Sequence, residues 1–494
     1  MKTFAVGLII AATMTAAVAQ TNTTRPLTLQ DCLREALQHN FDVRVERYEP
    51  EKSLLNLHAA YGGYDPALNV SGQHGFNVQP SGNVDQYQRP IPGTTSDNNS
   101  FSSGIGGSLP LGLQYDFSGN ISERYGLSGA TPFDNSGGSI GVTLTQPLLK
   151  NFWIDNTRLV VLASKNNLKL SEQGLRQQLI TTVTAVENAY HELIYARENV
   201  QVERAALQLA QTQLDQDNQR MQIGTLAQLS VELDQSQVAQ SRSSLITAEF
   251  TLATDQNTLK NLITDNFQQW QDTDLEPAAK LEAVQQTFDL QASWNKGMTQ
   301  RPDLLQARLN LEQQGIQLKY DRNQVYPELD LVGSYGFNGA SREFSGTLGQ
   351  FNEGNSPFYT YGAKISVPLS NVRARDTLKS DKAVEQQLLL KLKQLEQNVM
   401  VQIDNAVKQA QSAWESVDAT KQARIYAEAA LDAEQKTYAV GNATTFEVLQ
   451  YQNSLTTARS QEIRALANYE EALSNLAQQE GSTLQRRNLD IKVK

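Results

Sequence analysis

The chain has a single cysteine, Cys32, so no internal disulfide can hold it together. Cys32 lies well past any lipoprotein cleavage position and inside an amphipathic helical pattern, where it reads as a small packing residue. The four histidines, His39, His58, His74 and His191, are scattered without metal-ligand spacing. The sequence contains no G-x-S-x-G, no Walker motif and no dinucleotide fingerprint. It therefore reads as a protein without catalytic machinery or cofactor. The formal net charge is −11 with no basic stripe, which argues against nucleic acid as a partner. Beyond Phe4–Ala12 no apolar run approaches the roughly 18 residues of a membrane-spanning helix. Residues 1–19 read instead as a secretory signal peptide, with Lys2 as basic region and Ala17-Val18-Ala19 preceding Gln20.

Two long stretches lack the residues that punctuate helices. From about Asp155 to Arg220 there is no proline and one glycine, Gly174; from about Asn371 to Val440 there is neither. At ~1.5 Å per residue each predicts a rod on the order of 100 Å. In the first rod Val200, Leu207, Leu214 and Met221 recur at sevens, so it must pack along other helices. Gly224 and Gly441 end the rods as C-cap glycines, and returning helices run to about Ile263 and Gln479. Shorter helices are predicted at about 28–60, interrupted by Pro50, and at 288–323.

Between these helices the period changes to two. Leu68, Val70, His74, Phe76 and Val78 share one face, with Asn69, Ser71, Gln73, Gly75 and Asn77 on the other. Similar alternation marks 138–147, 327–338 and 359–369, and an additional hairpin is predicted over about 104–127, turning at Ser118-Gly119-Asn120 and lying either outside the membrane or within the barrel. Segments 79–100 and 338–357 read as polar loops.

The pattern is duplicated. PALNVSGQHGFN at 66–77 matches PELDLVGSYGFN at 327–338, GVTLTQPL at 141–148 matches GAKISVPL at 362–369, and IGTLAQLSVELDQ at 223–235 matches VGNATTFEVLQYQ at 440–452. The implied organisation is a signal peptide (1–19), a first repeat (20–264), a connector (265–285), a second repeat (286–480) and a tail (481–494). Each repeat runs helix, strand, strand, long helix, helix.

Strands alternating apolar residues with Gly, Ser, Thr and Asn suit a membrane barrel better than a sandwich, because they are too few for a core of their own. Phe152 and Trp153 on one side, with Phe351, Phe358 and Tyr359 on the other, are candidate girdle residues. Four to six strands close no barrel alone, and an open edge cannot persist in lipid, so an oligomer follows.

With the duplicated unit in place, the chain resembles the TolC family of outer-membrane efflux proteins. The motifs are LTLQDCLREALQHNFDV (27–43), GYDPALNVSG and VYPELDLVGS, the strand ends TQPL and SVPL, and VGNATTFEVLQYQNSL (440–455). The resemblance implies an α+β membrane protein: a homotrimer forming a twelve-stranded outer-membrane β-barrel, continued by a periplasmic α-helical barrel. Its tip would dock a periplasmic adaptor protein and an inner-membrane transporter, in an efflux or type I secretion system. Family members carry carboxylates one helical turn apart in the second tip. Here those positions are Glu447 and Gln450, only one of them acidic, and the first-repeat equivalent is Ser230, with Asp234 nearby. These four are the candidate aperture residues. Gly224, Thr225, Gly441 and Asn442 are the candidate tip-turn and docking residues. A coiled-coil adhesin or a periplasmic adaptor is the competing reading, but neither needs two strand pairs per chain. The sequence does not name the cargo.

Overall fold

The computed structural model describes residues 23–489, so the signal-peptide reading of 1–19 falls outside the described residues. In chain order the elements are β1 (Thr23–Leu27), α1 (Leu29–His39), α2 (Phe41–Tyr61), β2 (Ala67–Gln79), β3 (Thr94–Ser108), β4 (Gln114–Ser128), β5 (Thr131–Pro147), α3 (Asn156–Gln222), α4 (Gln228–Ile263), α5 (Phe267–Trp270), β6 (Thr273–Pro277), α6 (Leu290–Gln300), α7 (Pro302–Gln324), β7 (Glu328–Ser341), α8 (Phe344–Glu353), β8 (Pro357–Ser366), α9 (Val372–Ala439), α10 (Thr445–Glu480) and α11 (Thr483–Arg486).

The rods are α3 and α9, of 67 and 68 residues. They run the length of the helical part, and shorter helices are stacked beside them. On the sheet side α2 flanks α3, and α7 lies between α3 and α9; on the far side α4 flanks α3, and α10 lies between α3 and α9. The wall is thus four helices wide at both heights. Its interfaces hold four apolar clusters, the largest joining α1, the middle of α3 and the end of α4 around Leu179, Val186, Tyr190, Leu259 and Ile263. Burial of each such side chain is worth ~1.5–3 kcal/mol. Cys32 belongs to this cluster, fully buried, its thiol pushed up to about 12 by desolvation.

The interruption in the first short helix falls at Asn40, not at Pro50. Asn40 turns extended (φ −61°, ψ 127°), accepts from Val43 N–H and donates to the Leu262 carbonyl at 3.1 Å. Its side chain therefore caps α2 and ties the break to the end of α4, while Pro50 sits buried within a continuous α2. The second repeat breaks at the matching Arg301-Pro302, where Pro302 opens α7 without sacrificing a helical hydrogen bond. A parallel pair, β1 with β6, tucks beside the largest cluster, and the Tyr190 hydroxyl donates to the Leu27 carbonyl at 3.1 Å.

The remaining six strands form one antiparallel sheet ordered β2-β3-β4-β5-β7-β8. The hairpin is longer than predicted and turns at 109–113, with Ser118-Gly119-Asn120 inside β4 rather than at its turn, and it lies within this sheet, between β2 and β5. Among the described residues one chain thus holds six strands in this sheet, where the twelve-stranded barrel implied by resemblance has four per copy.

The register gives the sheet two chemically distinct faces. The row Leu68, Ile105, Phe117, Val142, Tyr335 and Tyr359 crosses all six strands on one side. The next row on the opposite side reads Asn69, Gly104, Ser118, Gly141, Gly336 and Phe358. Phe358 thus points to the polar face, packed over Gly336 and Gly141, and is no outer girdle residue. Phe351 also leaves the girdle: it belongs to α8, a helix inside the segment read as a loop. That helix covers the far end of the apolar face, where Phe101 meets Phe344 edge-on at 5.5 Å and Thr347 donates to Ser136 Oγ at 2.8 Å. Beneath and beside it the apolar face turns polar, with His74 bonded to Asn99 at 2.8 Å and Asn99 to Glu123 at 3.3 Å.

Candidate functional site: the helical tips and the two-faced sheet

At the end farthest from the sheet, both rods reverse through the same backbone device. Gly224 (φ +75°) and Gly441 (φ +81°) adopt the left-handed conformation that only glycine enters without strain. Around each, the hydrogen bonds of a Schellman motif close: Thr225 N–H to the Arg220 carbonyl at 2.9 Å with Gly224 N–H to Met221, and Asn442 N–H to the Thr437 carbonyl at 3.1 Å with Gly441 N–H to Tyr438. Gly224, Thr225, Gly441 and Asn442 are all exposed at these turns.

The returning helices start differently. Thr444 caps α10 in a capping box: its hydroxyl accepts from Glu447 N–H, and the Glu447 carboxylate accepts from Thr444 N–H and Oγ at 2.8 Å each. These bonds hold the exposed Glu447 carboxyl below the usual carboxylate range. Gln450 is exposed one turn further on. In the first tip Ala227 occupies the cap without a side-chain hydrogen bond, and Ser230 is half-buried.

Asp234 is not with them. It turns into its own chain's helix interface, 1 % exposed, beside the fully buried Asp217 of α3. Tyr438 Oη donates to the Asp217 carboxylate at 2.6 Å, Gln213 Nε2 at 3.0 Å and Thr445 Oγ at 3.2 Å. Arg220 lies over the Tyr438 ring, 4.6 Å from its centroid. Neither Asp234 oxygen has a donor of its own. Burial first, and the Asp217 carboxyl second, push Asp234 up to about 7. Asp217, Asp234, Tyr438 and Thr445 thus join α3, α4, α9 and α10 just behind the turns. The signal that could have revealed it is Asp217 itself, three residues after Leu214, on the rod's buried stripe with Ala210. Between α4 and α10, Gln237 and Asn453 exchange reciprocal hydrogen bonds of 2.8 and 3.1 Å in a groove also lined by Leu233, Phe446 and Gln450.

The sequence pattern of the family described as outer membrane efflux protein matches residues 32–264 and 296–482. This chain belongs to that family. Among its relatives is the outer membrane protein TolC of Escherichia coli, 23% identical over 371 residues, 73% of this chain and 71% of the relative. The fold is similar to that of the outer membrane protein VceC of Vibrio cholerae (TM-score 0.66, 18% identity, 92% of this chain and 96% of the other). It is equally similar to the MtrE outer membrane channel of Neisseria gonorrhoeae in its open state (TM-score 0.66, 16% identity, 92% and 89%). As an outer membrane efflux protein, the chain is placed in the outer membrane with its helical part in the periplasm, and its family is one of channels rather than enzymes.

Membership assigns the two ends of the molecule. Among the described residues no helix is long and apolar enough to cross a membrane. The apolar face of the sheet carries exposed Leu68, Val70, Phe117, Tyr335 and Tyr361. Among the described residues no group of three or more His, Cys, Asp or Glu side chains converges as a metal site.

Proposed function

We propose that three copies of this chain close into a passive export duct, the outer-membrane part of a tripartite efflux or type I secretion system. The observation that carries this reading is a two-faced sheet continuous with a four-helix wall, both open at their edges. Among the described residues strands β2 and β8 each lack a partner on one side, which lipid does not tolerate. The helical wall ends the same way: Ile246 and Phe250 of α4, and Tyr426 and Leu390 of α9, are exposed apolar residues on its flanking helices. A neighbouring copy covers both sets of edges at once.

The polar face of the sheet then lines a wet lumen and the apolar face meets lipid. The exposed tip turns at Gly224, Thr225, Gly441 and Asn442 are the surface offered to a periplasmic adaptor and an inner-membrane transporter. Glu447 and Gln450 are the aperture pair, with one carboxylate per chain, and Ser230 faces them from the first repeat. Transport energy comes from the partner. Cell fractionation tests the reading: the protein is expected in outer-membrane fractions as a trimer that heating in detergent dissociates, and a soluble periplasmic monomer would contradict it.

A further inference from the structure

We propose that the outer-membrane barrel of this protein has eighteen strands, six from each of three copies, and is as wide as the helical tube beneath it. The proposal rests on the trimeric duct reading and adds the strand count, the edge pairing and the girth of the pore.

The hairpin β3–β4 is a full member of the sheet. Its strands pair without interruption over Thr94–Ser108 and Gln114–Ser128, with β2 on one side and β5 on the other. Its side chains obey the faces of the older strands. Ile105 and Phe117 extend the apolar row, half-exposed, whereas Ser102, Ser118 and Asn120 extend the polar one. An appendage outside the membrane has no reason to continue a lipid-facing row across its neighbours.

The free edges fit a second copy of this chain. Six antiparallel strands leave β2 and β8 running in opposite directions, so β8 of one copy meets β2 of the next antiparallel. Neither carries the usual protection of a free edge. Strand β2 has no proline, no Lys, Arg, Asp or Glu and no bulge in its register; β8 has a proline only at its first position and one lysine, Lys364. Their outward faces are continuous in chemistry, with Leu68, Val70, Phe76 and Val78 on β2 and Tyr359, Tyr361 and Ile365 on β8.

The arc spanned by one chain supports the same count. Four helices packed about 8–10 Å apart span roughly 32–40 Å. Strands about 4.8 Å apart and tilted by about 40° occupy roughly 6.3 Å of circumference each, so six span about 38 Å and four only about 25 Å. Six strands therefore match the helical wall above which they stand, whereas four would narrow the duct at the junction by about a third. With six, the width of the outer-membrane section matches that of the helices, and its inner face joins Ser71, Ser102, Asn120, Ser139 and Ser334 with the charged Asp116, Arg124, Asp330 and Lys364 and the ring of Phe358. Passage is then limited at the periplasmic tips.

Spin labelling of the full chain reconstituted in liposomes tests this. Nitroxides are placed on Ile105→Cys and Phe117→Cys in the hairpin, and on Val70→Cys and Tyr361→Cys in the edge strands. Ser102→Cys and Asn120→Cys report the inner face, and Tyr87→Cys an aqueous loop. Native Cys32 is buried and takes no label. Relaxation at 105 and 117 is expected to be enhanced more by oxygen than by an aqueous nickel chelate, matching 70 and 361, with the order reversed at 102 and 120. If 70 and 361 face lipid while 105 and 117 respond like 87, the hairpin lies outside the membrane and the eighteen-stranded barrel is overturned, with the duct intact. If 70 and 361 also respond like 87, the duct reading falls and the barrel with it.

Discussion

At the first tip α3 passes to α4 through Gly224, and at the second α9 passes to α10 through Gly441, with the same hydrogen bonds around each glycine. Behind the turns the two tips diverge. The second starts its returning helix with the Thr444–Glu447 capping box and contributes Tyr438; the first starts from an uncapped Ala227 and contributes the buried Asp217 and Asp234. At the position matching Tyr438 the first repeat has Met221. The two tips are thus complementary halves: one supplies the buried Asp217, the other the Tyr438 and Thr445 hydroxyls that donate to it. Reversal is a backbone property and was kept twice, whereas the lock between the reversed hairpins needs unlike partners.

The largest effect expected of this asymmetry is with pH. Asp234 titrates near 7 in the folded chain against an ordinary value of 3.8, so the folded tip holds a proton that the unfolded chain releases. Stability of the tip is therefore highest below pH ~4 and falls as pH rises to about 7. Amide exchange in α3, α4, α9 and α10 near the turns, corrected for intrinsic rates, should quicken relative to the rest of the helices between about pH 4 and 7. Asp234→Asn should remove most of that dependence. A pH-independent tip would show that the acids are not proton-linked.

Next in size, Tyr438→Phe withdraws the closest donor from buried Asp217 and should cost about 1–3 kcal/mol in denaturant unfolding. Met221→Leu, at the matching position, keeps an apolar side chain and should cost clearly less. Equal costs would break the claim that the repeats are complementary.

The glycines should behave alike. A Cβ on Gly224 or Gly441 meets nothing within 4 Å, so substitution is opposed by the backbone alone. Gly224→Ala and Gly441→Ala should each cost about 1–2 kcal/mol by thermal or denaturant unfolding. A large difference between them would mean that one turn is held by contacts rather than conformation.

The smallest effects concern the cap. Thr444→Ala should cost about 1 kcal/mol and Ser230→Ala only a few tenths. Because Glu447 caps α10 and is also the proposed aperture carboxylate, Glu447→Ala confounds two roles. Glu447→Gln preserves a capping-box side chain while removing the charge. In planar bilayers it should weaken divalent-cation block without loosening α10; unchanged block would remove Glu447 from the aperture.

The rods, both glycine turns, the duplication and four of the strands were legible because each follows from a period or from one residue type. What escaped depends on partners distant in sequence. Strand β3 reads as a polar loop because Thr95, Asp97 and Asn99 are polar on the otherwise apolar face, where His74 and Glu123 of neighbouring strands receive them. Helix α8 is hidden by Gly346 and Gly349, and is held by Phe101, Ser136 and Glu123 from other strands. The parallel β1–β6 pair joins segments about 250 residues apart that carry no period of their own. Pro50 drew the predicted interruption away from Asn40, whose cap and distant Leu262 partner decide the break. Asp234 looked available because spacing from Gly224 says nothing of burial; in the fold it lies in the helix interface beside Asp217.

The central claim is that the open edges of sheet and helical wall are closed by two further copies of the same chain. Native mass spectrometry of protein extracted from outer membranes in mild detergent addresses it directly. The account predicts an assembly of three identical chains; a single chain, or any other number of copies, would contradict it.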